Sequence, residues 1–216
     1  MSGTHPRLTL PPLYAILDPE QTNGRSPELV LRQILDGGAK MIQLRAKAMT
    51  SRDFLQLAKT ARALTTSFEC KLIVNDRVDI ALASAADGVH LGQEDLPLQV
   101  GRRLLGKKII GISTHDIDQA REAERNGADY IGFGPMFGTI TKQTGYTARG
   151  LERLTHIRAA VALPIVAIGG ITESTVQDVW HAGADSAAII SDILKMENIA
   201  AKVKAILGRR RDQEDT

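Results

Sequence analysis

The chain has 216 residues, of which 43% are hydrophobic and 24% are charged, and its formal net charge is +2. This length suits one large domain with a sizeable core. The near balance of charge gives no electrostatic reason to expect nucleic acid or a membrane surface as the main partner, and no apolar run is long enough to span a bilayer. The single cysteine, Cys70, cannot form an internal disulfide, so we expect a passive thiol and a cytoplasmic location.

Apolar, β-branched runs of strand length alternate along the chain with amphipathic, helix-like stretches. The predicted strands are 13–18, 41–45, 71–76, 88–93, 108–113, 130–134, 164–170 and 186–191. The first helical stretch has Ser26 as its predicted N-cap, Pro27 in its first turn and Gly37 near its end. Strands that alternate with helices predict a parallel sheet, and eight such units predict an α/β fold, a single (β/α)8 TIM barrel. We place this domain at 1–207, with a short N-terminal extension, followed by a polar, disordered tail at 208–216.

A weak internal repeat precedes the even-numbered strands. Runs such as 85–91, 126–133 and 182–190 carry a Gly or Ala-Asp element that fits a tight turn between helix and strand. These turns fall at the N-terminal ends of the strands, the face of a barrel that serves stability. We therefore interpret Asp129 and Asp185 as structural residues.

Polar side chains gather at the opposite, C-terminal strand ends, where active sites of (β/α)8 enzymes form. Gln43, Arg45 and Lys47 alternate along the second strand, so they share one face, while Ile42 and Leu44 face the helices. Cations directed at a barrel mouth are costly to desolvate unless an anion meets them. This strand alone does not decide between an anion site and an inward salt-bridge network that plugs the barrel.

Two carboxylates follow neighbouring strands. Asp76 ends the third strand and Asp95 follows the fourth, which is close enough in a barrel to share one hard cation. The alternative makes Asp76 and Asp79 helix-capping residues and leaves Asp95 on a solvated turn. Beside the cationic strand, the first interpretation is favoured, because carboxylates and cations at one mouth suit a magnesium-bound polyphosphate.

A second anion site is predicted at the last two strands, which end in Gly169-Gly170 and Ile190-Ser191. Many barrels bind phosphate here through backbone N–H groups. The loop after the sixth strand, GPMFGTITKQTG, contains hydroxyls and one lysine but no acid, so it is a donor-rich loop between the two anion sites.

The histidines carry weaker signals. His90 lies within an apolar strand and is interpreted as a core or barrel-lining residue. His115 follows a strand end, where it could serve catalysis or cap the next helix. No Cys/His spacing indicates zinc.

With these motifs in place, the chain resembles the thiamine phosphate synthase family. The matching elements occur in family order and are QLRAK (43–47), VNDRVDIAL (74–82), ADGVHLGQEDL (86–96), IGIST (110–114), ADYIGFGPMFGTITK (128–142), PIVAIGG (164–170) and GADSAAIIS (183–191). The resemblance implies a magnesium-assisted alkyl transfer. Hydroxymethylpyrimidine diphosphate and a thiazole phosphate, as the carboxylate or its tautomer, give thiamine phosphate and pyrophosphate.

The resemblance also implies roles for individual residues. The pyrimidine diphosphate would be held by Gln43, Arg45, Lys47, Asn75, Ser113 and Lys142. The thiazole phosphate would be held by Thr139, Ile140, Thr141, Gly170, Ile190 and Ser191. One Mg²⁺ per active site would bind Asp76 and Asp95. Arg45, Lys47, Ser113 and Lys142 would act in catalysis, mainly by stabilising the leaving pyrophosphate.

The chain departs from the family pattern at two of these motifs. Gly138 stands where proline usually precedes the Thr-x-Thr-Lys segment, so we expect a less rigid loop. Ala46 stands where glutamate is usual, with little expected effect because it points away from the Gln43 face. The alternatives are a thiazole tautomerase relative, for which His115 would be the candidate acid or base, and a non-catalytic phosphate-binding barrel. Small molecules are the expected partners, and the sequence leaves a homo-oligomer open.

Overall fold

The computed structural model describes residues 8–138 and 149–211, and its strands close into a parallel barrel in chain order. The strands are β1 (Leu13–Leu17), β2 (Met41–Leu44), β3 (Lys71–Asn75), β4 (Gly88–Leu91), β5 (Ile109–Thr114), β6 (Tyr130–Phe133), β7 (Ile165–Ile168) and β8 (Ser186–Ile189). Pairing of β1 with β8 completes the ring. The predicted (β/α)8 fold and all eight predicted strands are confirmed, with ends that differ by at most a few residues.

Helices follow the strands and cover the outside of the barrel. They are α1 (Pro27–Asp36), α2 (Ser51–Ser67), α3 (Val78–Ala83), α4 (Leu98–Leu105), α5 (Ile117–Arg125), α6 (Gly150–Ala160), α7 (Val176–His181), α8 (Ser191–Leu194) and α9 (Ile199–Arg211). Ser26 caps α1 as predicted, because its hydroxyl accepts the backbone N–H of Leu29 at 3.4 Å. Among the described residues, no helix is long and apolar enough to cross a membrane.

Strand alternation divides the core into two layers. In β1, Leu13, Ala15 and Leu17 pack outward against the helices, whereas Tyr14 and Ile16 belong to a separate cluster inside the barrel. The inner cluster also contains Met41, Ile73, Tyr130, Val166 and Ala188. A packed interior of this kind restricts the ligand site to the mouth of the barrel.

A repeated ion pair holds the N-terminal face. The Asp129 carboxylate accepts the backbone N–H of Ile110 at 2.7 Å and pairs with Arg102 at 2.6 Å, which ties α4 to the strand pair β5–β6. The same arrangement recurs as Arg62, Asp87 and the Leu72 N–H, and as Arg158, Asp185 and the Ile165 N–H. The structural interpretation of Asp129 and Asp185 is confirmed.

Helix α9 continues to Arg211. The boundary predicted at 207 is therefore wrong for residues 208–211, which are helical. Two contacts explain the difference. Arg209 pairs with Glu173 at 3.0 Å, and the Arg210 guanidinium lies 5.4 Å from the centre of the Trp180 ring. Polar composition predicted disorder here because it does not reveal partners that are distant in sequence.

Candidate functional site

The cationic strand end faces the barrel mouth as predicted. Gln43 is buried and donates through Nε2 to the Tyr14 hydroxyl at 3.1 Å, inside the barrel. Ile42, Leu44 and Ala46 lie in the outer layer against the helices. The Gln43 Oε1 atom is buried without a hydrogen-bond partner in the described part of the chain. A buried acceptor without a partner suits a ligand that supplies a hydrogen-bond donor.

Arg45 is oriented by Asp18, a carboxylate at the end of β1 that is only 1% exposed. The guanidinium donates through Nη1 to Asp18 Oδ2, while its Nε is buried with no partner among residues 8–138 and 149–211. Part of the guanidinium therefore keeps unused hydrogen-bonding capacity at the mouth. The predicted alternative of an inward salt-bridge network accounts for this Asp18 pairing but leaves the Nε donor unexplained.

The two predicted carboxylates come together at the ends of β3 and β4. Burial of Asp76, followed by its hydrogen bond to Asp95 and the charge of that residue, raises the Asp76 pKa, and Lys47 partly opposes the shift. Lys47 Nζ lies 3.2 Å from Asp76 Oδ2, so the cationic and anionic parts of the site are in contact. Asp76 also has a positive φ of 63°, a conformation that is uncommon for residues other than glycine.

The alternative in which Asp76 caps a helix is wrong. The N-cap of α3 is Arg77, which makes no side-chain capping bond, and Asp79 in the first turn pairs with Arg77 instead. Asn75, the last residue of β3, is buried beside Asp76 and pairs in register with His90 of β4. Both predicted polar residues therefore stand at the C-terminal end of β3.

The residues at this mouth suit Mg²⁺, which keeps water and substrate oxygens as ligands, better than a metal ion that is coordinated by protein side chains alone. No group of three or more His, Cys, Asp or Glu side chains with metal-binding geometry occurs in the described ranges. Two adjoining carboxyl groups whose negative charges would repel one another when both are ionised would be stabilised by a hard cation, and Mg²⁺ usually takes one or two carboxylates together with water and substrate phosphate.

The second predicted anion site is built from β7, β8 and the start of the β6–α6 segment. Gly170 has φ of +67°, and a Cβ there would lie 2.7 Å from the Gly138 carbonyl oxygen and 2.9 Å from Phe137 Cβ. The Phe137 N–H donates to the Gly169 carbonyl at 3.0 Å. Glycine at 170 therefore allows the two backbones to approach closely, which brings Gly138 next to the predicted phosphate site.

A partly buried lysine joins the two halves of that site. Lys202 of α9 lies 3.1 Å from Glu173, in the loop after Gly170, and 3.0 Å from Asp192, which follows Ser191 in α8. Asp192 also accepts the Glu173 backbone N–H at 2.8 Å. We call these three residues the Lys202 clamp. No sequence motif indicated the clamp, because its members lie on three separate elements.

A continuous hydrogen-bond chain crosses the inside of the barrel. From Gln43 it runs through Tyr14 to Tyr130, whose hydroxyls are 3.0 Å apart, and then to His90 Nδ1 at 3.0 Å. The other ring nitrogen, His90 Nε2, lies 2.8 Å from Ser113 Oγ. The barrel-lining interpretation of His90 is correct, whereas the two tyrosines were not predicted as site residues. Their positions inside apolar strands look the same as core positions in sequence.

The remaining predicted residues lie in different situations. The His115 ring donates to the Gly134 carbonyl at 2.8 Å, and Asp116, not His115, caps α5. Ile190 and Ser191 begin α8, as the phosphate-site prediction requires. Thr139, Ile140, Thr141 and Lys142 lie outside the described residues, so their predicted contacts stay predictions.

Comparison with known proteins gives consistent matches over most of the chain. A family model described as thiamine monophosphate synthase matches residues 13–193. A thiamine-phosphate synthase from Chloroflexus aurantiacus is 43% identical over 194 residues, which cover 90% of this chain and 90% of the relative. One from Syntrophomonas wolfei is 44% identical over 195 residues, 90% of this chain and 93% of the relative. The solved thiamine phosphate pyrophosphorylase from Pyrococcus furiosus has a TM-score of 0.86 and 36% identity, covering 93% of this chain and 96% of that one.

Proposed function

The chain belongs to the thiamine monophosphate synthase family, and from this premise we propose that it joins hydroxymethylpyrimidine diphosphate to a thiazole phosphate, with release of pyrophosphate. It is a transferase of thiamine biosynthesis. Within the site, the observation that supports this reaction best is the contact between Lys47 and Asp76 at 3.2 Å. That contact unites cations and paired carboxylates at one barrel mouth, which is the combination a magnesium-bound diphosphate needs.

We propose that the pyrimidine diphosphate lies over β2 to β5. The Gln43 amide would read the aminopyrimidine, since its buried Oε1 lacks a donor in the described ranges and the ring carries an amino group. Arg45 and Lys47 would bind the diphosphate oxygens, with Asn75 and Ser113 completing the contacts. Asp18 would hold the Arg45 guanidinium in a fixed orientation, which reduces the entropy lost on binding.

We propose Asp76 and Asp95 as the ligands of one Mg²⁺. The metal, when bound, would neutralise diphosphate charge and so make pyrophosphate a better leaving group. Lys47, now paired with Asp76, is placed to turn toward the diphosphate, because its side chain is 55% exposed. Its ammonium offsets the charge of Asp76.

The chemistry asks the protein for charge stabilisation and positioning. The C–O bond at the pyrimidine methylene breaks and its electron pair leaves with pyrophosphate, whose growing charge Arg45 and Lys47 stabilise. The thiazole nitrogen then forms the new C–N bond at that methylene carbon. No protein nucleophile is needed, so juxtaposing the two substrates is the main contribution of the fold. We assign Lys142, outside the described residues, a supporting role on the diphosphate.

The thiazole phosphate is proposed to bind at the ends of β7 and β8, against Gly170, Ile190 and Ser191, with Thr139, Ile140 and Thr141 from the neighbouring loop. This would place its ring beside the pyrimidine across the mouth. The proposed location is the cytoplasm, where a lone, buried thiol such as Cys70 stays reduced.

The proposal is tested by thiamine phosphate formation in a charge-removal variant. Arg45→Met should lower kcat/KM on the order of 10²-fold, as expected for loss of a transition-state charge partner. Arg52→Met, at an exposed position of α2, is the matched control and should behave as wild type. Equal activity of both variants would remove Arg45 from the site. Thiazole isomerisation, measured in parallel, would reveal a tautomerase instead.

A further inference from the structure

The hydrogen-bond chain from Gln43 to Ser113 passes two strand positions, Gly111 and Gly132, that have no side chain. A Cβ at Gly111 would lie 2.0 Å from Tyr130 Cζ, and a Cβ at Gly132 would lie 2.9 Å from His90 Cε1. Two strand positions thus lack side chains where the rings pass. The His90 and Tyr130 rings stack with centroids 5.5 Å apart, and the Tyr14 and Tyr130 rings meet edge to face at 6.0 Å. Packing therefore fixes the polar atoms of the chain in place.

Donor and acceptor capacities give this chain a direction. Because the Gln43 amide N–H donates to Tyr14, the Tyr14 hydroxyl can give its own hydrogen to Tyr130. Tyr130 in turn donates to His90 Nδ1, which leaves the hydrogen of a neutral imidazole on Nε2, facing Ser113 Oγ. Ser113 accepts that bond and keeps its own hydroxyl hydrogen for another acceptor.

Burial keeps the two tyrosines of the chain in their neutral form. Desolvation raises the pKa of Tyr14 and the pKa of Tyr130 well above the ordinary value, so both phenols stay protonated. Each hydroxyl then has one hydrogen to give. In the opposite direction Tyr14 would accept from both Gln43 and Tyr130, and its own buried hydrogen would lack an acceptor among these partners unless the Gln43 amide turned over so that its oxygen accepted it. Whether the Gln43 amide donates to Tyr14 or accepts from it therefore determines whether Ser113 accepts from His90 or donates to it.

We propose that Tyr130, together with Tyr14 and His90, is a positioning residue that couples Gln43 to Ser113. The amide oxygen of Gln43 is presented to a donor of the substrate, and the Ser113 hydroxyl is presented to an acceptor, by one chain of hydrogen bonds. This inference rests on the proposed function, in which Gln43 and Ser113 both contact the pyrimidine diphosphate. It adds three residues that act through others and do not themselves contact the reacting atoms.

The direction of the chain can be measured without substrate. In protein labelled with ¹⁵N-histidine at neutral pH, two-dimensional NMR distinguishes the ring nitrogen that carries the hydrogen. We expect neutral His90 with its hydrogen on Nε2. A hydrogen on Nδ1, or a doubly protonated ring, would overturn the proposed direction. This result does not depend on any activity, so it stands or fails separately from the proposed function.

The coupling itself is measured by double-mutant cycles. Gln43→Ala and Ser113→Ala, alone and together, should give kcat/KM effects that depart from additivity by at least about threefold in the presence of Tyr130. In a Tyr130→Phe background the same two changes should be additive, because the chain is broken. Additive effects in the original background, or the same non-additivity in Tyr130→Phe, would each contradict the coupling. Thermal unfolding checks that every variant is folded, and the NMR measurement decides the matter if Tyr130→Phe is not.

Discussion

Replacing Lys202 with methionine tests whether the Lys202 clamp organises the phosphate site. Methionine keeps most of the apolar stem of lysine and removes the ammonium. The Lys202 side chain is only 14% exposed and contacts Asp192 at 3.0 Å and Glu173 at 3.1 Å. Its loss leaves two carboxylates near one another without their shared cation. Glu173 keeps its pair with Arg209 at 3.0 Å, so the damage falls mainly on Asp192 and α8.

The size of the effect follows from these contacts. A hydrogen bond to a charged group contributes about 1.5–3 kcal/mol, and exposed ion pairs contribute about 0–1 kcal/mol. For two partly buried contacts we take about 2 kcal/mol in total. If this free energy holds the Gly170 loop and α8 in place for the thiazole phosphate, the loss is at most about thirtyfold in affinity, and we expect a rise in KM of about tenfold. The kcat should change less, because the bond that breaks is proposed to lie over β2 to β5.

Steady-state kinetics with each substrate varied in turn would measure the effect. Lys204→Met, an exposed position on the same helix, is the matched control. The expected difference in KM between the Lys202→Met variant and the wild type should hold from about pH 6 to 9. Burial lowers the Lys202 pKa but its two carboxylate partners raise it overall, so its contribution is lost only as pH rises past that raised pKa. The Lys202 contact lowers the Glu173 pKa, so that contribution is lost only as pH falls through the lowered value. A rise in KM for the pyrimidine diphosphate alone, or none, would refute the clamp.

Three further predictions follow from the fold and the site. Asp129→Ala should lower the free energy of unfolding by about 2–3 kcal/mol in urea denaturation, because it leaves a buried strand N–H without its acceptor, whereas Asp36→Ala, on an exposed pair, should cost less than about 0.5 kcal/mol. Gly170→Ala should abolish most activity, since its Cβ would lie 2.7 Å from a backbone carbonyl oxygen, while Gly24→Ala, at a similar positive φ with nothing within 4 Å, should not. Burial raises the Cys70 pKa to about 12, so at pH 8 its thiol should react with a disulfide reagent on the order of 10³-fold more slowly in the native protein than in urea. Equal losses of unfolding free energy in the two aspartate variants would contradict the role of Asp129. Equal activities of the two glycine variants would contradict the close approach at Gly170, and rapid labelling of the native thiol would contradict the burial of Cys70.

The sequence predicted the barrel because its signals are local. Each strand is a short apolar run, and three of the four turns before an even strand carry glycine or alanine with aspartate, as at Asp129. The cationic end of β2 and the carboxylates Asp76 and Asp95 were also predictable. Strand ends share one face of a parallel barrel, so residues at those ends meet even when they are far apart along the chain.

What the sequence did not predict depends on long-range partners. Tyr14 and Tyr130 occupy ordinary core positions, and only the closed barrel brings their hydroxyls together. The Lys202 clamp joins three elements by side chains without a motif. The end of α9 was predicted as a tail because the sequence does not reveal that Arg209 reaches Glu173. The polarity of single residues was therefore enough to predict the mouth of the barrel. The hydrogen bonds that support the mouth could be identified only from the three-dimensional structure.

Pyrophosphate release by the purified protein tests the central claim most directly. With hydroxymethylpyrimidine diphosphate, the thiazole phosphate and Mg²⁺ all present, we predict stoichiometric release of pyrophosphate and formation of thiamine phosphate. Omission of either substrate, or addition of EDTA, should stop the reaction. Turnover that continues undiminished in EDTA would contradict the metal assignment at Asp76 and Asp95, and absence of product with all three components would contradict the proposed function.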